Sequence, residues 1–60
     1  MNAKDWNRID DLLQQIRTKV GNLHPQHEHN RQRQNEFLDY INALLELNEQ
    51  LADAAFTGWF

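Results

Sequence analysis

Between Phe37 and Ala55 the chain runs FLDYINALLELNEQLADAA, with neither glycine nor proline. Leu, Glu, Gln and Ala fill most of it, and these side chains lose little rotamer freedom in a helix. Phe37, Ile41, Leu44, Leu51 and Ala55 recur at alternating steps of four and three that pass through Asn48, the spacing of one helical seam. Leu38, Leu45 and Ala52 widen that seam on one side, and Tyr40, Leu47 and Ala54 widen it on the other. One neighbouring helix cannot cover a stripe so broad. The pattern therefore predicts a helical module that associates with something.

A second seam lies upstream. Trp6, Ile9, Leu13, Ile16, Val20 and Leu23 repeat at steps of three and four, with Leu12 beside them. Asn2 is placed to cap this helix, and Asp5 stands where the helix dipole favours an acid. Gly21 is placed to end it in a left-handed conformation, and His24-Pro25 stops it at the latest. A first helix over about residues 3–20 follows, then a polar turn over about 21–30 and a second helix over about 31–56. Gly58 closes the second helix, leaving an aromatic tail over 57–60. Starting the second helix at Pro25 is the competing reading for the turn, because proline suits a first helical position.

Pairing the two seams sets a register. Val20 opposite Phe37, Ile16 opposite Ile41, Leu13 opposite Leu44 and Trp6 opposite Leu51 match apolar with apolar. Ile9 then faces Asn48. A buried Asn at such a position fixes register at some cost in stability, whereas an Asn at the bundle edge is simply hydrated. The core and dimer residues expected from this register are Trp6, Ile9, Leu12, Leu13, Ile16, Val20, Phe37, Leu38, Ile41, Leu44, Leu45, Asn48 and Leu51.

Composition narrows the function more by exclusion than by assignment. Sixty residues make one small domain, and chains of this size usually need a disulfide, a metal or a second subunit. Cysteine is absent, which removes disulfides and thiolate metal sites. No apolar run approaches the roughly 20 residues of a membrane span. The opening MNAKDWNRID is charged where a signal peptide needs an apolar core. A soluble, cytoplasmic protein with no membrane partner is expected.

Catalysis is not expected. There is no serine, the hydroxyl groups are those of Thr18, Tyr40 and Thr57, and the two glycines are isolated from each other. Two helices of this length enclose too little volume for a buried small-molecule site, and no cofactor is implied. His24, His27 and Glu28 would share a helical face at a spacing that metals accept. They lack a fourth ligand or an HExxH pattern, so a solvated turn is expected and no metal.

The net charge of −3 is unevenly placed. Lys4, Arg8, Arg17 and Lys19 outnumber the acids of the first twenty residues, while residues 37–60 carry Asp39, Glu46, Glu49 and Asp53 with no base. An acidic chain with dispersed bases is a poor match for phosphate neutralisation. Nucleic-acid binding through the 27–34 segment, with His27, Asn30, Arg31 and Arg33, is the alternative function. It lacks interleaved aromatics for base stacking. The acids at 39, 46, 49 and 53 form a ridge opposite the seam, which is ordinarily the solvated back of such a helix. Their mutual repulsion would also suit a basic partner surface.

The expected fold is all-α: an antiparallel two-helix hairpin that dimerises into a four-helix bundle. This architecture resembles the small hairpin dimers of plasmid RNA-binding regulators of the Rop type, in topology and size and through no shared motif. The expected function is that of a small non-enzymatic regulatory or adaptor protein, of the accessory kind that phages and plasmids carry. It would bind another, unidentified protein through a helical face, with Phe56, Trp59, Phe60, Tyr40 and Leu47 as anchors. A purely structural oligomerisation unit is the bland counterpart.

Overall fold

The computed structural model describes residues 3–59. It is an all-helical hairpin of α1, Ala3–Gly21, and α2, Glu28–Thr57, which lie against each other. At 1.5 Å per residue the helices are about 28 and 45 Å long. The chain extends 47 × 17 × 10 Å with a radius of gyration of 14.3 Å. A compact chain of this length would have a radius near 10 Å. The smallest dimension is one helix thick. Domains normally bury their apolar stripes between two packed layers, and this hairpin supplies one.

The connection differs from expectation at both ends. Gly21 closes α1 without a positive φ; among the described residues Gly58 alone has one. The Asn22 and Leu23 amides instead donate to Thr18 and Val20 carbonyls, both at 3.1 Å, so the helix tapers through a tighter last turn. The side-chain amide of Gln34 donates to the carbonyls of Val20, 2.7 Å, and Leu23, 3.0 Å. A residue of the other helix thus satisfies carbonyls that a left-handed glycine would otherwise have closed over.

At the other end, α2 begins at Glu28 rather than near residue 31. His27 is extended, at φ −112° and ψ 139°, and its carbonyl accepts from the Arg31 amide at 3.0 Å. Glu28 occupies the first turn, where the dipole favours an acid. The helical face His24–His27–Glu28 therefore never forms, since the first two precede α2.

The early start goes with a corrected register. Asn48 Nδ2 donates to the Trp6 carbonyl at 3.2 Å, and Gln34 meets Val20. Asn48 thus stands at Trp6 rather than Ile9, and Gln34 rather than Phe37 stands at Val20. Relative to the expected pairing α2 is displaced by three residues, about 4.5 Å along its axis. Three residues also turn a helix by about −60°. Gln34, Leu38, Ile41, Leu45, Asn48 and Ala52 accordingly face α1, while Phe37, Leu44 and Leu51 turn outward.

The hairpin's own core is small. Trp6 and Ile41 are its buried apolar residues, each 5% exposed, with Asn48 buried between the helices. Ile9, Leu13, Val20, Leu38 and Leu45 are half-buried. Leu12, Ile16, Phe37, Leu44 and Leu51, expected in the core or the dimer contact, are exposed in the single chain. At the C-terminus Gly58 adopts φ 81°, and the Gly58 and Trp59 amides both donate to the Ala54 carbonyl. That is the Schellman-type closure glycine makes easy.

Candidate interaction face

The outward residues of both helices share one side of the hairpin. In α2 the inward seam is flanked, one position earlier or three later, by Phe37, Tyr40, Leu44, Leu47 and Leu51. In α1 the same offset from Trp6, Leu13 and Val20 gives Ile9, Leu12, Ile16 and Leu23, with the charged Asp5 and Lys19 among them. Two right-handed helices running antiparallel carry equal offsets to the same side of their common plane. The opposite offset gives Asp10 and Arg17 on α1 and Asn42, Glu46 and Glu49 on α2, and these line one shared depression. There Arg17 Nη1 donates to Asn42 Oδ1 at 3.2 Å.

The two sides of the plate are chemically opposed. On the apolar side, Leu12 is 48% exposed, Leu44 46%, Leu47 52% and Tyr40 71%. On the other, Asp39, Glu46, Glu49 and Asp53 are all exposed. Single exposed apolar residues are ordinary, but a contiguous face of them marks an interaction site.

The total exposed area agrees. The chain exposes 5093 Å², whereas a compact monomer of its mass exposes about 4,100 Å². The surplus of about 1,000 Å² compares with the roughly 800 Å² that each partner contributes to a standard interface.

The C-terminal aromatic residues expected to act as anchors lie beyond α1. With Asn48 level with Trp6, α2 continues nine residues to Thr57 while α1 has three left before Ala3. About two turns of α2 therefore project past α1. Phe56 is 66% exposed and Trp59 86%. Phe60 lies outside the described residues, as does the expected cap Asn2.

The remaining candidates separate. His27, Asn30, Arg31 and Arg33 are exposed at the turn end, and Arg33 pairs with Glu36 at 3.6 Å. Among the described residues, no three His, Asp or Glu side chains come together to hold a metal ion. No described helix is long and apolar enough to cross a membrane.

Sequence reasoning missed one contributor. Gln34 continues the inward heptad back from Ile41 and Asn48, a signal present in the spacing but masked by its polarity. Leu23, read from the sequence as the last member of the α1 seam, is 59% exposed and extends the apolar face toward the turn. No protein-family model, no curated protein and no solved structure matches the chain.

Proposed function

We propose that this chain is a small non-enzymatic regulatory or adaptor protein. It pairs with a second copy through the apolar side of the hairpin, completing a four-helix bundle. It then binds a partner protein through what the bundle leaves outside. One observation carries the reading: the hairpin is a single layer with a continuous apolar side and only two buried apolar residues among those described. Burying a Leu is worth ~1.5–3 kcal/mol, and several remain exposed per chain. A second copy brings an identical face, so both surpluses are removed by one contact.

Phe56 and Trp59 on the projecting end of α2 are the anchors for the outside partner, since aromatic side chains carry much of the energy of small interfaces. The acidic side faces away from the bundle, where like charges repel and a basic partner surface would relieve them.

Sedimentation equilibrium at micromolar concentration tests the self-association. The expected result is a species of twice the 7.2 kDa chain mass, dissociated by Leu44→Lys. A folded single-chain species with cooperative heat unfolding defeats the reading. For the partner, capture from host lysate should survive moderate salt and be lost on truncation before Trp59. Capture that collapses steeply with salt points to nucleic acid instead.

A further inference from the structure

Two identical hairpins can close their apolar sides in two ways, and the geometry points to one. We infer that α2 docks antiparallel on α2 of the second copy, with the twofold axis crossing the helix between Leu44 and Leu47. The inference rests on the self-association proposed above and specifies its orientation and register.

The outer stripe of α2 is Phe37, Tyr40, Leu44, Leu47, Leu51 and Ala54, at steps of three, four, three, four and three. That spacing reads the same in both directions, so the stripe is complementary to its own reverse. Antiparallel coils set each a position against a d position. Around this axis Phe37 meets Ala54 of the second copy, Tyr40 meets Leu51, and Leu44 meets Leu47. The ring of Phe37 meets the smallest residue of the stripe, which is how facing layers interdigitate at constant spacing. The flanking positions bring Ala43 to Gln50 and Glu36 to Thr57, without a like-charge pair. Ile9 lies within a turn of the same axis, judged from the level of Trp6 and Asn48.

The competing closure lays α2 on α1 of the second copy with both turns at one end. The heights of the two helices then put Phe37 level with Arg17, between Ile16 and Lys19, and Leu51 level with Ala3, past Asp5. Charged side chains border both ends of that closure, whereas the layers between the two copies of α2 carry none. Antiparallel docking also accounts for the turn end. Residues before Gln34 run past the end of the second copy's α2, and between residues 24 and 36 Pro25 is the one apolar residue. Phe56, five turns on from Leu38, falls on the inward face of α2 beyond the end of α1 and stays available to another partner.

Nitroxide distances decide the matter. In Gln32→Cys and Glu49→Cys, each labelled singly at an exposed site, the two labels of a dimer differ in height by about 40 Å and about 10 Å respectively. The expected result is a Gln32 distance longer than the Glu49 distance by roughly 20 Å or more. In the competing closure identical residues sit at equal height, and a difference below about 10 Å overturns the docking while leaving the dimer standing. No dipolar coupling at either site, with a single-chain mass in sedimentation, removes the dimer itself.

A swap gives a second readout. Ala54→Phe should weaken dimerisation about tenfold by crowding Phe37, and adding Phe37→Ala should restore most of the loss. Failure of the double variant to recover, with the hairpin still helical, overturns this register.

Discussion

Gln34 and Asn48 are polar residues on the inward seam, and each reaches a backbone carbonyl of α1. Their roles differ because the carbonyls differ. Gln34 serves the Leu23 carbonyl past the end of α1 and adds a second donor to the Val20 carbonyl, which also accepts from the Leu23 amide. Replacing it with Ala should lower stability by ~1 kcal/mol, with early amide exchange concentrated at residues 18–23. Asn48 donates to the Trp6 carbonyl within α1, an oxygen inside the helical ladder, so its bond adds to a group already served. Asn48→Ala should therefore destabilise, because it leaves a cavity beside Trp6 and Ile41. Asn48→Leu should unfold at or above the temperature of the parent, in keeping with polar-to-apolar exchanges in buried seams. A large drop in its thermal midpoint would show that the hydrogen bond, not the packing, holds that level.

At the scale of the helix, the two ends of α2 are finished to different standards. Its C-terminus has a left-handed glycine and a hydroxyl bond from Thr57 to the Asp53 carbonyl at 2.9 Å. Its N-terminus starts at His27, which has capping dihedrals but no side-chain cap bond. His27→Asp supplies an acceptor in a conformation already suited to it and should stabilise by ~1 kcal/mol. A rise in the thermal midpoint without change in helical content checks this. Gly58→Ala should cost ~1 kcal/mol, because a Cβ at φ 81° is strained although the space around it is open. If Gly58→Ala left the unfolding midpoint unchanged, the left-handed closure would not be contributing to stability. The helices themselves were legible from spacing alone, since glycine, proline and seam residues mark them in the chain. The three-residue displacement between them was not, because apolar matching favours Phe37 against Val20. The observed fit is decided by carbonyls needing donors and by a turn short enough to begin α2 at Glu28.

The whole molecule is a plate one helix thick, and its unfolding should report its neighbours. If the apolar sides close on each other, the thermal midpoint must rise with protein concentration, because association stabilises by mass action. Leu47→Lys should abolish that dependence and lower the midpoint to a concentration-independent value, read by circular dichroism across a hundredfold dilution. A midpoint unmoved by dilution in the parent protein would mean that the hairpin is stable as it stands. The surplus of apolar surface was visible in the width of the stripe. Which residues compose it was not, since seam and shoulder are indistinguishable until the helix is turned against its neighbour.

By itself the sequence determined two amphipathic helices, the polar turn between them, and more apolar surface than one hairpin can hide. These follow from local periodicity and backbone chemistry, which act within a few residues. The tertiary structure decided the rotation of α2 about its axis, and with it the division between what α1 covers and what stays outside. That choice depends on contacts between residues far apart in the chain, where a hydrogen bond at Gln34 or Asn48 competes with burying Phe37. A displacement of three residues turns Phe37, Leu44 and Leu51 outward while Ile41 and Asn48 stay inside.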